Sequence, residues 1–342
     1  MNSNNRFLLT IYIPSYNRLE KLKTTLSNLL PQCISSSDIR VVVQDNHSDT
    51  DYKIALKEIL DCYSESLCAI EINRNIVNIG MGANILKGFE FCDSQWLWIL
   101  SDDDTLASDA LSNIRKSMDN VADDIGFIRF SSQYSSVSAT HNINNFKEFV
   151  DSASTSNSFN NYIFISNGIY RLSQLSPELV HGYNNCHTYI PHFMMLVHYI
   201  LQGGRSIISP YRIVQYDVPS LGYNYAMVAG LGVGSPKHLL LNCDHKTLQT
   251  FHSMFFPHND MKVIIDLYFQ TKGLATKGEF FYLAKTYISY LTVSRSIFWR
   301  LMLTTLVWLR YIPKGFESFV AVLEFSSILA SRHIEEMRRR YD

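Results

Sequence analysis

The chain is short of charge. Asp, Glu, Lys and Arg make up 18% of its 342 residues, against about 25% in an average soluble protein. That deficit points to a surface partly covered by something other than water. Neither sign is in excess: 30 basic residues face 31 acidic ones, a net charge of −1. A nucleic-acid binder would carry a basic surplus, so that class loses weight. Paired cysteines are missing too. Cys33, Cys62, Cys68, Cys92, Cys186 and Cys243 are scattered, with no Cys-x-x-Cys among them. This argues against a zinc ribbon or redox dithiol and fits a reducing cytoplasm. His181, His187, His192 and His198 offer no i, i+4 pair, so a helical zinc site is not expected. No apolar run reaches the roughly 20 residues of a membrane span. The opening MNSNNRFLLTIYIPSYN lacks the cleavage site of a signal peptide. No repeat, heptad or low-complexity block is present.

What is present is a regular alternation over the first 130 residues. Runs suited to buried strands begin at Phe7, Ile39, Leu67, Gln95 and Ile125. Between them, Leu19 to Leu30, Tyr52 to Tyr63, Met81 to Cys92 and Ser108 to Met118 carry helical spacing, with Ser108 as an N-cap. Strands alternating with helices imply βαβ units and a mostly parallel α/β sheet. The Ser- and Asn-rich segment from Ser131 to Ser158 reads as a long loop or lid, with a short helix near Phe146 to Val150. Ile163 to Arg171 returns a strand, Tyr189 to Leu201 is helical, and Arg212 to Asp217 is strand-like. The glycine-rich run from Gly222 to Pro236 is either a hinged lid or a slack connection. From His238 onward the pattern is almost wholly helical. The expected organisation is a nucleotide-binding domain over 1–220 and a mainly helical region over 221–342.

Ligands of such sheets bind beyond the carboxyl ends of the strands, so the polar segments after each strand carry the chemistry. The sharpest is Ser101-Asp102-Asp103-Asp104. Three consecutive carboxylates repel one another unless a cation offsets them, and a hard divalent ion with oxygen ligands is the natural partner. The plain alternative is an acidic turn capping the next helix. Pro14-Ser15-Tyr16-Asn17-Arg18 follows the first strand, and Tyr16 there could stack on a base. Asp45 and Asn46 follow the second strand, where a carboxylate can accept from a base's ring N–H. Asn75 to Asn84 follows the third. Gly80 and Gly82 mark a helix start near a ligand or, more simply, a turn. They do not complete a dinucleotide fingerprint.

The runs IYIPSYNR, VVVQDNHSDTD, NRNIVNIGMGANILKGFEFC and WLWILSDDDTL, in this order, resemble the nucleotide-binding half of the GT-A-fold, family 2 glycosyltransferases over residues 7–130. The resemblance implies a Rossmann-like GT-A sheet with a C-terminal helical region. It implies that Pro14, Tyr16 and Asn17 touch the nucleoside, that Asp45 with Asn46 reads the base, and that Asn78, Gly80 and Asn84 line the sugar-nucleotide pocket; Ser15, Arg18 and Asp102 count among the nucleotide-sugar-binding residues. SDDD matches the family's D-x-D element, which holds a diphosphate through Mg²⁺ or Mn²⁺. Two registers are open: the literal pair Asp102 and Asp104, or Ser101 and Asp103. Asp102, Asp103 and Asp104 are all metal candidates.

The departure from the family lies downstream. An acidic pair that carries the catalytic base is expected about 90 residues past D-x-D, at the start of a helix. Here that place reads Tyr189-Ile190-Pro191-His192. His192 stands in as a base, since imidazole titrates near neutrality, or as a metal ligand; the plain alternative is a structural histidine at a helix start. Glu178 and Asp217 are alternative bases.

Phe280 to Ile312 is aromatic and punctuated by Lys285, Arg295, Arg300 and Arg310. Such a helix can lie in a membrane interface or pack on the sheet domain. The expectation is an inverting, metal-dependent hexosyltransferase, cytoplasmic or peripheral on the inner membrane face. Its donor would be a UDP-sugar and its acceptor a glycan or polyprenyl-diphosphate-linked oligosaccharide of O-antigen or capsule synthesis. The rivals are a non-catalytic scaffold or glycan-binding subunit, and a sugar nucleotidyltransferase. The latter would want a Gly-rich loop where PSYNR stands.

Overall fold

The computed structural model describes residues 7–215, apart from 64–68, 120, 134, 155 and 187–189, together with 244, 246, 247, 250, 251 and 254. By backbone contacts the chain divides into two compact units, 1–220 and 221–342. Of the helices expected after His238 only isolated residues are described, with 246, 247, 250, 251 and 254 helical; the aromatic and basic stretch, the glycine-rich run and Asp217 lie outside the described residues.

In the first unit the order is β1 (Leu9–Ser15), α1 (Leu19–Leu29), β2 (Ile39–Asp45), α2 (Tyr52–Ala55), α3 (Lys57–Tyr63), β3 (Ala69–Arg74), α4 (Met81–Phe91), β4 (Trp96–Ile99), β5 (Thr105–Leu106), α5 (Ala110–Met118) and β6 (Ile125–Phe130). Then come β7 (His141–Ile143), α6 (Phe146–Ala153), α7 (Ser156–Ile163), β8 (Gly168–Arg171), α8 (Leu172–Leu175), α9 (Leu179–Asn184), α10 (Pro191–Leu201), β9 (Arg205–Ser209) and β10 (Val214–Gln215).

Among the described residues the main sheet has eight strands in the order β3-β2-β1-β4-β8-β6-β9-β7. The β3, β2, β1 and β4 strands are parallel, as are β6 and β9; β8 and β7 run against them. This is the mostly parallel α/β sheet the alternation implies. Period-2 side chains explain its layering. Ile11, Ile13, Val41, Val43, Trp98 and Leu100 share one core with Leu22, Leu26 and Leu29 of α1. Tyr12 faces the other way, and its hydroxyl donates to the Asn84 carbonyl of α4 at 2.7 Å. All four residues of β4 are buried, as a central strand covered on both faces requires.

The topology places a ligand crevice. β1 has parallel neighbours on both sides, β2 reached directly and β4 after two further units. The strand order reverses there, and the carboxyl ends of β1 and β4 form the switch point where such sheets bind. β5 pairs antiparallel with β10, so the carboxylate loop between β4 and β5 is pinned at both ends.

Several sequence expectations change. The segment 131–158 is not one long loop: it contains β7, α6 and the start of α7, and β7 extends the sheet by pairing with β9. Tyr52 to Tyr63 is two helices parted at Leu56. α5 starts after Asp109 rather than Ser108, with no side-chain cap bond. The strand foreseen over 163–171 is confined to β8. Among the described residues no helix is long and apolar enough to cross a membrane.

Candidate functional site

The four post-strand loops meet at the carboxyl edge of the sheet. Pairing aligns Ser15, Asp45 and Arg74 on adjacent strands, so the ends of β1, β2 and β3 lie level.

The β1 and β4 loops are joined directly. The Ser15 hydroxyl donates to Asp102 Oδ2 at 2.6 Å, and Thr25 of α1 donates to the Asp102 carbonyl at 3.0 Å. Arg18 reaches Asp102 Oδ1 at 3.2 Å and Asp103 Oδ2 at 2.9 Å, and Lys21 reaches Asp103 Oδ2 at 3.1 Å. Ser101 donates to Asp103 Oδ1 at 2.7 Å. Ser166 donates to Asp104 through a short bond and accepts from the Ser101 amide at 2.8 Å. Behind it, Trp98 Nε1 donates to the Ser166 carbonyl at 2.8 Å.

The three carboxylates therefore stand in different environments. Asp102 is buried and turned inward, and burial pushes its carboxyl above the ordinary aspartate value despite Ser15 and Arg18. Asp103 is exposed. Burial would raise it, but the bonds from Ser101 and Lys21 and the Arg18 charge outweigh that and hold it below the ordinary value. Asp104 is half-buried. Against these three negative charges stand Arg18 and Lys21, which leaves one in excess. An oxygen-only donor set with residual negative charge fits a hard divalent cation, which would displace the two exposed basic side chains.

The second loop is built around Asp45, which is fully buried. Its Oδ1 accepts from the Ser48 amide at 2.8 Å and its Oδ2 from Arg74 at 3.0 Å. Ser48 in turn accepts from the Asn17 amide at 2.8 Å, while Asn17 and Asp49 exchange bonds of 3.1 and 2.8 Å. Asn17 and His47 hold φ of 54° and 66°, left-handed conformations more common for these residue types than for most. Tyr16 is 44% exposed above this turn, open to stacking.

Asn75 is the hub of the third loop. Its amide donates to Asn46 and Asn84 at 2.8 Å each, and its carbonyl oxygen accepts from Gln44 at 2.9 Å and Lys87 at 2.6 Å. Asn46 donates to Asn78 at 2.8 Å, and Asn78 accepts from the Gly80 amide at 2.8 Å. Asn78 and Gly80 are exposed, whereas Asn46 and Asn84 are buried inside the network. Gly80 has φ of 82°, which its lack of Cβ permits. Gly82 answers a different need: a Cβ there would stand 2.6 Å from the Cys186 carbonyl oxygen.

Thus Pro14, Ser15, Tyr16, Asn17, Arg18, Asp45, Asn46, Asn78, Gly80, Asn84 and the SDDD run are brought to one edge. Of these, Tyr16, Asn17, Arg18, Asn78, Gly80 and Asp103 are exposed there. Asn75, at the head of the third loop, belongs to the same assembly, as do Lys21, Thr25, Arg74 and Ser166, which were not singled out by sequence. For Lys21 the signal was its position one helical turn past Arg18; for Ser166 there was none.

Of the candidate bases, His192 and Glu178 stand apart from these loops. His192 is only 2% exposed; its Nε2 lies 3.1 Å from the Ile163 carbonyl, and its Nδ1 has no partner among the described residues. Burial pulls its pKa down to about 4. Ile163 lies three residues before Ser166, so His192 ties α10 to the segment that grips Asp104. Glu178 is engaged elsewhere: His198 bonds it closely and His181 Nε2 lies 3.8 Å away.

Comparison with known proteins agrees with this geometry. The profile of glycosyl transferase family 2 matches residues 10–201. Abequosyltransferase RfbV of Salmonella typhimurium is 32% identical over 117 residues, which is 34% of each chain. TarS of S. aureus superposes with a TM-score of 0.61 at 14% identity, covering 90% of this chain and 54% of TarS. Its 1–349 segment in complex with UDP-GlcNAc gives 0.57 at 13% identity, covering 97% and 91%. The mannosyltransferase PcManGT of Pyrobaculum calidifontis, in complex with GDP-Man and Mn²⁺, gives 0.51 at 14% identity, covering 99% and 88%. The match thus spans about a third of the abequosyltransferase and about half of TarS. At such identities the structural likenesses show the fold alone.

Proposed function

The chain belongs to glycosyl transferase family 2, and from that premise we propose that it transfers a sugar from a nucleotide-sugar donor to a glycan or lipid-linked acceptor in surface-polysaccharide synthesis. The observation that carries this reading is the Ser15–Asp102 bond across the switch point, which locks an oxygen-rich acidic loop beside the nucleoside-facing loop. The relatives support it in kind: one is named an abequosyltransferase, and others are complexes with UDP-GlcNAc and GDP-Man. A uridine donor is our choice of base.

In this reading Tyr16 stacks on the base and Asn17 holds the turn around the nucleoside. Asp45 acts from below, fixing Ser48 and Arg74 so that the loop keeps its shape. Asn78 and the Gly80 backbone border the sugar. Asp103 and Asp104 would hold Mg²⁺ or Mn²⁺ with Asp102 behind them, and the ion would supply charge neutralisation for the departing diphosphate. Arg18 and Lys21, exposed beside this loop, are the cations that would face the phosphates. The acceptor hydroxyl attacks the anomeric carbon opposite the diphosphate, inverting it, and its proton passes to a base. His192, which sequence spacing puts near the place of the family's base and whose Nδ1 has no partner among the described residues, is the first candidate base; Asp217 is the second. The C-terminal region is the candidate for a membrane or partner contact.

The test is a thermal-shift and calorimetric screen of the purified chain against nucleoside diphosphates, with and without Mn²⁺. Ligand binding to the folded state stabilises it by mass action. A metal-dependent shift for one nucleotide, lost when Asp102, Asp103 and Asp104 are together replaced by Asn, supports the assignment. Unchanged affinity in that variant would sink it. Nucleotide binding with no donor turnover would favour a non-catalytic scaffold. Loss of turnover in His192→Gln, with donor affinity retained, assigns the base to His192; retained turnover moves it to Asp217.

A further inference from the structure

The α9–α10 pair carries a second cluster of ligating side chains. Glu178 lies just before α9, His181 is in its first turn, and His198 comes from the last turn of α10. The ligand atoms of these three residues all lie within 4.8 Å of one another. Glu178 Oε2 is their common point: His198 Nδ1 bonds it closely, and His181 Nε2 is 3.8 Å away. The two imidazoles stack with centroids 3.3 Å apart and planes at 21°.

Two imidazole nitrogens and one carboxylate oxygen are the donor types of borderline divalent ions, and zinc sites of this composition keep a fourth position for water. Donor atoms bonded to Zn²⁺ at about 2.0–2.2 Å stand roughly 3.3 Å apart in a tetrahedron, so modest rotation of the rings would bring these around one ion. The side chains are 15–30% exposed, which gives an ion a path in and leaves room for water.

We propose that Glu178, His181 and His198 form a binding site for a divalent transition metal of the zinc type, separate from the Asp102–Asp104 loop. Its ligands bridge α9 and α10. α9 also packs on α4 at Gly182, where a Cβ would meet Leu86 and Met195 within 2.8 Å. An ion there would brace the helix pair that backs the third loop. The sequence spacing hid this site: His181 and His198 are 17 residues apart, and only the antiparallel packing of two helices brings them together.

The test uses the full chain, stripped with chelator and titrated with Co²⁺ and then Zn²⁺. We expect one equivalent of Co²⁺ to give the visible absorption of a low-coordinate nitrogen and oxygen site, and Zn²⁺ to displace it and raise Tm. His181→Gln and His198→Gln should each remove the band and weaken Zn²⁺ by more than about 100-fold, since loss of a supporting partner alone costs 10–100-fold. Replacing Asp102, Asp103 and Asp104 together by Asn should leave the band intact, which separates this site from the donor site. Circular dichroism of the histidine variants checks that they fold. Absence of the band, or Zn²⁺ binding unchanged in both histidine variants, overturns the proposal and leaves the cluster as a hydrogen-bonded contact.

Discussion

Replacing His192 by Gln should flatten part of the acid dependence of stability. The imidazole is buried, with its Nε2 facing the Ile163 carbonyl at 3.1 Å and its Nδ1 unpartnered among the described residues. Burial opposes the charged form and takes its pKa from 6.5 to about 4. The folded value lies below the unfolded one. The neutral ring's contribution is therefore full above 6.5 and is lost as pH falls to about 4. At about 1.4 kcal/mol per unit this amounts to about 3 kcal/mol. A glutamine amide can still donate to Ile163 but has no proton to gain. Near neutrality the variant should be less stable by about 1 kcal/mol, from reshaped packing. On acidification the gap should close and reverse. Urea unfolding followed by circular dichroism across this range measures it. Other groups with shifted values, Asp102 and His181 among them, are common to both proteins and cancel in the difference. Stability curves that stay parallel from neutrality to about pH 4 would refute the reasoning, because the ring would then be solvated or paired.

Two further outcomes follow from contacts. Arg18→Ala should cost about 1 kcal/mol near neutrality, the range of a half-exposed ion pair. Asp103 is held low in the fold, so the cost should be present above the ordinary aspartate value of 3.8 and fade below it; a pH-independent loss in thermal unfolding would mean that Arg18 acts through packing. Added Mn²⁺ should rescue this variant more than the parent, since the cation takes over the same neutralisation. Gly82→Val should destabilise by about 1–3 kcal/mol through overpacking, because a Cβ already meets the Cys186 carbonyl at 2.6 Å. An unchanged denaturant midpoint would show that α4 has slack there.

The first half of the fold is legible because of where its strands lie. A strand buried on both faces is a continuous apolar run, so VVV of β2 and WLWI of β4 stand out. β7 reads as loop because His141 and Asn142 sit on an exposed edge and only Ile143 faces the core. β9 is a short apolar run after Gly203 and Gly204, easily lost beside the α10 pattern. The site follows the same rule. Loop positions could be read from the strand ends, but inward and outward could not: Asn46, Asn84 and Asp45 look like pocket residues in sequence, yet all are buried within the walls. Those assignments depend on partners such as Ser48, Arg74 and Asn75, which pattern alone does not pair.

The three consecutive carboxylates show why a motif can be right while its register stays open. A two-residue element needs only two carboxylates, and the third looks redundant. In the fold each has its own anchor: Asp102 meets Ser15 of β1, Asp103 meets Lys21 of α1, and Asp104 meets Ser166 before β8, while Arg18 just before α1 bridges Asp102 and Asp103. The loop is thus tied to both strands that flank β4 in the sheet, β1 and β8, and only the middle residue projects. A loop fixed on two sides need not reorganise when a charged ligand arrives, and preorganisation of this kind lowers the cost of binding. Asp102, buried and bonded to Ser15, holds the loop. The alignment that takes Ser101 and Asp103 as the outward pair accords better with the exposure than the literal Asp102 and Asp104 does.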